Sequence, residues 1–186
     1  MLNKVTSIIL AGISSLAEYK AKLPQLNVCR TCPDCGRTAA LHRHGSYGRK
    51  SYRKLGHQQS LNPVENLRFI CKFCRKTCSA LPECMPPRRW YLWEVQQAVI
   101  QEWLAGHSWN LISQKLKIAR STCRRWVQHL RDKFPLHADV LRNTPGKLSE
   151  HLVHCFDVKS FWQYCLAQVD LSRAMLLCHN AGIDIP

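Results

Sequence analysis

The sequence is poor in acidic residues and contains no long apolar run. Its 186 residues include 12 Asp and Glu against 27 Lys and Arg, which gives a formal net charge of +15 at pH 7. The longest uncharged stretch near the start, Val5 to Ala17, is too short and too rich in Ser and Gly to cross a bilayer. We therefore expect no membrane-spanning segment, and the single lysine before that stretch argues against a secretion signal.

A disordered tail and a disulfide framework are also excluded. Apolar residues make up 46% of the chain, which is too many for a disordered basic tail. The 11 cysteines are odd in number, so disulfides within one chain cannot pair all of them. In the reducing cytoplasm where we expect the protein, clustered cysteines favour metal binding over disulfides.

The positive charge is concentrated in the first two-thirds of the chain. Residues 1–89 hold 16 Lys and Arg against 4 Asp and Glu, and residues 90–134 hold 7 against 3. Residues 135–186 hold 4 against 5. A basic surface on part of a chain is typical of a protein that binds a polyanion. Because the basic residues alternate with aromatic residues and cysteines, a membrane-surface helix is the weaker interpretation.

Prolines divide the chain into four predicted pieces. They are a leader with a short helix over residues 1–28, a cysteine-rich piece with short strands over 29–87, a helical piece over 88–134 and a C-terminal helical segment over 135–186. The leader helix is expected at about Ile13 to Leu23. The last piece is expected to complete the hydrophobic core, with a dimer interface as the alternative.

Two Cys-x-x-Cys motifs predict one metal site. Cys32 and Cys35 form the first motif, Cys71 and Cys74 form the second, and Gly36 allows a tight turn after the first. Two such motifs supply the four thiolates of a closed tetrahedral Zn²⁺ site. We expect one structural zinc ion, because a short piece with few large aliphatic side chains needs metal binding to fold.

Other ligands and another chemistry stay open from the sequence alone. Cys29, His42 or His44 can replace one of the four thiolates. A single Cys-x-x-Cys can also be a redox pair, although the βαβ context of thioredoxin-like motifs is absent. The remaining cysteines are expected to pack in apolar cores; they are Cys78, Cys84, Cys123, Cys155, Cys165 and Cys178.

The helical piece predicts a helix-turn-helix. Its helices are expected over Trp90–Leu104, Trp109–Leu116 and about Arg120–Lys133, and Ser108 is a good N-cap for the second. The third helix has an apolar arc made of Cys123, Trp126, Val127 and Leu130. Its opposite face is short, positive and hydrogen-bonding, as a helix that enters the major groove requires, and consists of Ser121, Arg124, Arg125 and Gln128. A helical hairpin with a solvated basic face is the alternative.

These motifs resemble the zinc-ribbon and helix-turn-helix N-terminal region of bacterial insertion-sequence transposases and their stand-alone relatives. The ribbon pattern comprises Cys32-Pro-x-Cys35-Gly36, Arg43-His-Gly-Ser-Tyr47, Arg68-Phe-x-Cys71-x-x-Cys74, Leu81-Pro82 and Pro87-Arg-Arg89. The helical pattern comprises Gly106-x-Ser108, Ile112, Leu116, Ile118, Ser121-Thr122 and Arg125-Trp126. The resemblance covers about residues 29–134 and implies sequence-specific binding to the ends of a mobile element or to a related DNA site.

The chain departs from that family's pattern in ways that bear on function. Ala119 stands where such motifs often have a capping Ser, and Cys78 stands where an aromatic residue is usual. The family's catalytic domain carries a carboxylate triad on a large ribonuclease-H-like core, whereas 52 residues without a strand pattern follow Phe134. We therefore expect a DNA-binding part or a free-standing regulator, which is not an enzyme and takes no small-molecule substrate.

The predicted partner is double-stranded DNA. Recognition helix 120–133 is expected to read base edges through Arg124, Arg125 and Gln128, with Arg120 and Ser121 beside them. Basic residues of the ribbon are expected to neutralise phosphates: Arg43, Arg49, Lys50, Arg53, Lys54, Lys72, Arg75 and Lys76. Two alternatives stay open, a protein-interaction module that forms a homodimer or binds a partner protein through 135–186, and an RNA-binding zinc ribbon.

The motifs together predict an α+β chain that is mostly helical. A small β zinc ribbon comes first, a three-helix helix-turn-helix follows it, and a C-terminal helical segment comes last. DNA binding places such a protein at the nucleoid of the bacterial cytoplasm.

Overall fold

The computed structural model describes residues 7–26, 28–49, 63–87, 91–183 and 185. These residues form two compact units, the first ending at Leu92 and the second beginning at Trp93. The predicted leader and cysteine-rich piece share the first unit, while the predicted helical piece, from Trp93 onward, and the C-terminal segment share the second. Within the described residues the fold is α+β, because the first unit holds a four-stranded sheet and the second is helical.

The first unit is built on a sheet with strand order β1-β4-β3-β2. Strands β2 (Leu41–Arg49), β3 (Val64–Cys71) and β4 (Thr77–Pro82) pair antiparallel in that order, and β1 (Ser7–Leu10) adds to the edge of β4 in parallel. β1 lies in the predicted leader, before the short helix that the sequence predicts at about Ile13 to Leu23, and this strand is not among the elements predicted from the sequence. The leader is therefore part of the sheet that carries the cysteine-rich piece.

Helix α1 (Leu16–Lys22) covers one face of this sheet. It begins after Ser15, whose side chain accepts a hydrogen bond from an N–H of the first turn at 3.2 Å, and a 3-10 turn (Leu23–Gln25) follows it. Tyr19 of α1 is fully buried in a cluster with Leu81 of β4, and its hydroxyl donates to a β4 carbonyl at 3.3 Å. Burial raises the pKa of Tyr19 to about 12, so the hydroxyl stays protonated and keeps donating.

The other face of the sheet carries a second apolar cluster. Leu67 and Phe69 of β3 point into it, as the alternation of side chains along a strand requires. Val28 packs against them, and so do two of the cysteines predicted to bind metal, Cys32 and Cys71. The metal site and the sheet core therefore share side chains.

The second unit contains seven helices among its described residues: α2 (Trp93–Leu104), α3 (Trp109–Leu116), α4 (Arg120–Asp132), α5 (Phe134–Arg142), α6 (Lys147–Leu152), α7 (Val158–Gln168) and α8 (Leu171–Asn180). α2 contacts α3, α4, α7 and α8, so it lies at the centre of the unit. Trp90, the predicted start of α2, lies outside the described residues. None of the helices in the described part of the chain combines the length and apolar content needed to span a membrane.

One hydrophobic core joins the predicted helical piece to the C-terminal segment. Ile100 of α2 and Leu130 of α4 share it with Phe161 and Trp162 of α7 and Met175 of α8, and all five are fully buried. Burying one such side chain contributes about 1.5–3 kcal/mol. The C-terminal helices therefore complete the core that positions α4, which confirms this part of the sequence prediction.

An ion-pair network ties the end of α2 to α3. The Glu102 carboxylate lies 2.7 Å from His107 Nδ1, and its other oxygen accepts a hydrogen bond from Lys115 Nζ. The hydrogen bond from Lys115 lowers the pKa of Glu102 below its ordinary value of 4.5. Because the folded pKa lies below the unfolded one, ionised Glu102 stabilises the fold above pH 4.5, and the stabilisation is lost as the pH falls through the folded pKa.

We expect Glu102→Gln to lower the free energy of unfolding at pH 7 by about 1 kcal/mol or less, because the network is partly exposed. The gap between variant and wild type should shrink as the pH falls below 4.5, as measured by urea denaturation at several pH values. Glu150→Gln removes an exposed carboxylate of the same unit and serves as the control. A gap for Glu102→Gln that is independent of pH would contradict this role.

Candidate functional site

The four cysteines predicted to bind metal converge in the structure. The Sγ atoms of Cys32, Cys35, Cys71 and Cys74 lie within 4.8 Å of one another, and we call this group the cysteine cluster. The Cys32–Cys74 and Cys35–Cys71 sulfur pairs are each 3.7 Å apart. Four sulfurs placed tetrahedrally at the Zn–S distance of about 2.3 Å lie ~3.8 Å from one another. The cysteine cluster therefore fits a single tetrahedral metal ion.

The two Cys-x-x-Cys segments fold in the same way. In each, the N–H of the first cysteine, Cys32 or Cys71, donates to the carbonyl five residues later at 2.9 or 3.0 Å. The N–H of the residue four positions later, Gly36 or Arg75, donates back to that cysteine's carbonyl at 2.9 or 3.0 Å. Gly36 and Arg75 both have left-handed backbones, with φ of 70° and 61°. Each closed turn thus places two sulfurs toward one point.

The electrostatics of the cysteine cluster favour a bound cation. Burial would raise the pKa of the Cys71 thiol, but hydrogen bonds from the N–H groups of Cys74 and Phe73 outweigh it and lower the pKa to about 6. The N–H of Lys76 lowers the pKa of Cys74, but burial and the neighbouring sulfurs outweigh that effect and raise it to about 12. The crowded thiols thus resist full ionisation together, and a divalent cation supplies the charge that four thiolates need.

The alternative ligands considered from the sequence lie outside the cysteine cluster. Cys29, His42 and His44 are exposed, and none belongs to the group of converging ligand atoms. Most other cysteines are buried: Cys78, Cys123, Cys165 and Cys178. Burial raises the pKa of Cys78 to about 11 and the pKa values of Cys165 and Cys178 to about 12, which makes these thiols inert packing groups. Cys155 lies between α6 and α7 and not within a helix.

An ion pair links the two Cys-x-x-Cys segments. Lys76 Nζ lies 2.9 Å from Asp34 Oδ1, and this hydrogen bond raises the pKa of Lys76. The Lys72 N–H also donates to the Ala40 carbonyl at 2.9 Å, which ties the second segment to the residue before β2. Lys76, predicted to neutralise a phosphate, therefore has an acidic partner inside its own unit.

The other predicted phosphate contacts differ in exposure. Arg43, Lys72 and Arg75 are exposed. Arg49 is partly buried, and its guanidinium donates to the Pro86 carbonyl at 3.1 Å, so it also supports the end of β2. Three predicted contacts lie outside the described residues: Lys50, Arg53 and Lys54.

One exposed aromatic side chain beside the cysteine cluster was missed from the sequence. Phe73 is 47% exposed, and the guanidinium carbon of Arg37 lies 4.4 Å from its ring centroid. Lys72 Nζ lies 5.1 Å from the same centroid. The sequence feature that could have identified Phe73 is its position between two cysteines of the cysteine cluster, where the turn directs a side chain away from the sheet core.

Helix α4 separates buried from exposed side chains as the sequence predicts. The buried arc consists of Cys123, Trp126, Val127 and Leu130. The exposed face consists of Ser121, Arg124, Arg125 and Gln128. The sequence alone could identify this face because residues that share one side of a helix recur at intervals of three or four.

A three-residue turn over 117–119 joins α3 to α4. The Ser108 side chain accepts a hydrogen bond from the Leu111 N–H at 3.3 Å, which confirms the predicted N-cap of α3. Lys117 ends α3 with a left-handed backbone, φ 55°, and the buried Ile118 anchors the turn. Ala119 gives no side-chain cap, and α4 nevertheless begins at Arg120.

Two residues on the exposed side of α4 have partners within the unit. Arg120 donates to Asn110 Oδ1 of α3 at 2.7 Å, and Gln128 Nε2 donates to Asp132 Oδ1 at 2.6 Å. Arg124 and Arg125 have no side-chain hydrogen bond or ion pair with any residue that the structure describes. These two arginines are therefore donors of α4 that are available to a ligand.

We expect the purified protein to hold about one divalent metal ion per chain, and Cys71→Ser to lose both the ion and the fold of the first unit. Metal analysis with circular dichroism, before and after a chelator, measures both effects. Cys29→Ser is the matched control, because Cys29 lies three positions before the first ligand yet outside the cysteine cluster. Metal loss from Cys29→Ser, or a compact metal-free wild type, would contradict the site.

We expect Gly36→Ala to lower stability by about 1–2 kcal/mol, because alanine disfavours the left-handed backbone that this turn requires. Arg75→Gly should leave stability unchanged or raise it, since Arg75 already adopts that backbone at a cost. Unfolding of the metal-loaded protein measures both changes, and Gly36→Asn should fall between them. A loss of stability from Arg75→Gly as large as the loss from Gly36→Ala would contradict this explanation, because both residues have a left-handed backbone.

Comparison with known proteins gives one match. A family model described as a domain of unknown function, DUF6431, matches residues 32–126, which is just over half of the chain. The match begins at the first residue of the cysteine cluster and ends within α4, so it includes the whole cysteine cluster as well as α2 and α3. No curated protein and no solved structure matches the chain. The chain belongs to the DUF6431 family.

Proposed function

We propose that this chain is a zinc-stabilised protein that binds double-stranded DNA through α4. The observation that carries the proposal is the exposed face of α4, where Arg124 and Arg125 stand beside Ser121 and Gln128, opposite the buried arc. Arginine and glutamine side chains form bidentate hydrogen bonds with guanine and adenine in the major groove. Because neither arginine is engaged within the described residues, both can donate to base edges without breaking an internal contact.

The surroundings of α4 support a helix-turn-helix mode of binding. Each of α2, α3 and α4 contacts the other two. A short turn connects α3 directly to α4. In this mode the first helix of the motif crosses the DNA backbone and the second lies in the major groove. The hydrogen bond from Arg120 to Asn110 fixes the start of α4 against α3, so we assign Arg120 a positioning role.

The positive charge of the first unit supports the proposal that this unit contributes to the affinity for DNA. Arg43, Lys72 and Arg75 are exposed cations, and the whole chain carries a formal charge of +15. Each phosphate that a protein neutralises releases counterions, which raises affinity at low salt and makes it fall as salt increases. These residues are therefore proposed to bind phosphates without reading sequence.

Zinc is the metal that we propose for the cysteine cluster. Four cysteine sulfurs in a tetrahedral arrangement suit Zn²⁺ and leave no open coordination position. The ion would have a structural role and the chain no reaction of its own. As a DNA-binding protein, it would act at the bacterial nucleoid, with a mobile-element end or a related site as the target.

A protein partner bound through 135–186 is the second candidate function. Phe156, between α6 and α7, is 81% exposed and Val153 of the same segment is 44% exposed, and exposed apolar side chains that form a patch favour contact with another protein. Most other apolar residues of these helices are already used in the core. Failure of the purified protein to bind any duplex at low salt would favour this candidate, in which the partner is another protein or a second copy of the chain. Tighter binding to single-stranded or hairpin RNA than to duplex DNA would favour the RNA alternative.

We expect Arg124→Ala and Arg125→Ala each to weaken binding to a selected duplex by about 5- to 100-fold, because one good bidentate contact discriminates by about 1–3 kcal/mol. The duplex is the sequence that wild-type protein enriches from a random library. On a shuffled duplex the loss should be only a few-fold. Fluorescence anisotropy titrations at several salt concentrations measure both affinities.

The matched control is Arg173→Ala, which removes an exposed arginine from α8 of the same unit. It should change neither affinity beyond a small non-specific effect. Equal losses on the selected and shuffled duplexes for Arg124→Ala and Arg125→Ala would leave only phosphate contact. Failure of the wild-type protein to enrich any sequence would refute sequence-specific recognition.

A further inference from the structure

We propose that Phe73 forms a stacking site for an unpaired nucleic-acid base, with Arg37 and Lys72 binding the flanking phosphates. This inference rests on the proposed DNA binding and adds to it a preference for DNA that has an exposed base, such as a gap. It assigns a role to the exposed ring beside the cysteine cluster. This ring takes no part in the proposed binding through the helix-turn-helix. The site is defined by Phe73, Arg37 and Lys72.

The metal-binding turn does not require an aromatic residue at this position. Asp34 occupies the equivalent place in the first Cys-x-x-Cys segment, one residue before its second cysteine, and the two turns share their hydrogen-bond pattern. Asp34 has 13% side-chain exposure and forms an ion pair with Lys76. Phe73, by contrast, keeps 47% of its surface in solvent. The contact of the ring with Arg37 also links the two segments, but it leaves the ring accessible to a ligand.

The surroundings of Phe73 point to a polyanion with flat, apolar groups. The Arg37 guanidinium carbon lies over the Phe73 ring at 4.4 Å from its centroid and Lys72 Nζ lies over it at 5.1 Å, so two positive charges contact a ring that is 47% exposed. Cation–π contacts of this kind orient the ring. An aromatic ring flanked by cations is how proteins stack bases of single strands while binding their phosphates.

An unpaired base fits this site better than an intact duplex does. Bases inside a duplex are stacked on each other, so a protein ring reaches a base face only at a gap, an end or a distorted step. Phe73 is also held in place, because the two cysteines around it in sequence, Cys71 and Cys74, belong to the cysteine cluster. A ring fixed in this way loses little freedom when a base stacks on it.

The test compares an intact duplex with the same duplex carrying a gap of a few unpaired bases, one of them 2-aminopurine. We expect the wild-type protein to bind the gapped duplex at least fivefold more tightly and to quench 2-aminopurine fluorescence, as base stacking on an aromatic ring does. Phe73→Leu should lose the preference and the quenching, while Phe73→Tyr should keep both. Phe156→Leu removes an exposed phenylalanine without a flanking cation pair among the described residues and should change neither.

Metal content and circular dichroism show whether Phe73→Leu is folded, and the wild-type fluorescence measurement does not depend on any variant. Wild-type binding to both duplexes without preference or quenching would overturn the stacking site and leave the proposed DNA binding intact. An equal loss on both duplexes from Phe73→Leu would overturn it as well. No binding to either duplex would instead refute the proposed function itself, and the stacking site with it.

Discussion

The convergence of four cysteine sulfurs is the constraint on which the first unit depends. The sheet is small and its apolar side chains are divided between two separate clusters, so packing alone gives limited stability. The cysteine cluster joins the turn after residue 31 to the turn between β3 and β4, and it shares Cys32 and Cys71 with the sheet core. A metal ion held there would therefore stabilise the turns, the sheet and the basic residues that they carry at the same time.

The second unit is stabilised by a large hydrophobic core. α2 lies among α3, α4, α7 and α8, and a core of large apolar residues fills the space between them. Leu130 of α4 joins this core and the other residues of its apolar arc are buried as well, which leaves its basic side in solvent. The hydrophobic core thus holds the helix that presents Arg124 and Arg125.

Features that depend on local chemistry were predictable from the sequence, and those that depend on distant pairing were not. The cysteine spacing is enough to predict the cluster, and helical periodicity with a Ser cap is enough to predict α3 at its observed bounds, Trp109–Leu116. β1 was missed because the strand with which it pairs, β4, lies about seventy residues away. The partnership of Lys76 with Asp34 also arises only when two separate turns have folded side by side. The exposure of Phe73 follows from that same assembly.

The parallel pairing of β1 with β4 sets an order on how the first unit can form during synthesis. β3 and β4 are neighbours in sequence and can form a hairpin early, whereas β1 leaves the ribosome first and has no strand to join until Thr77–Pro82 has emerged. Its apolar residues Ile8, Ile9 and Leu10 stay unprotected for that interval. An early strand that waits for a late one is open to pairing with another chain. The interval between the emergence of β1 and the emergence of β4 is therefore the period in which the first unit is most exposed to aggregation.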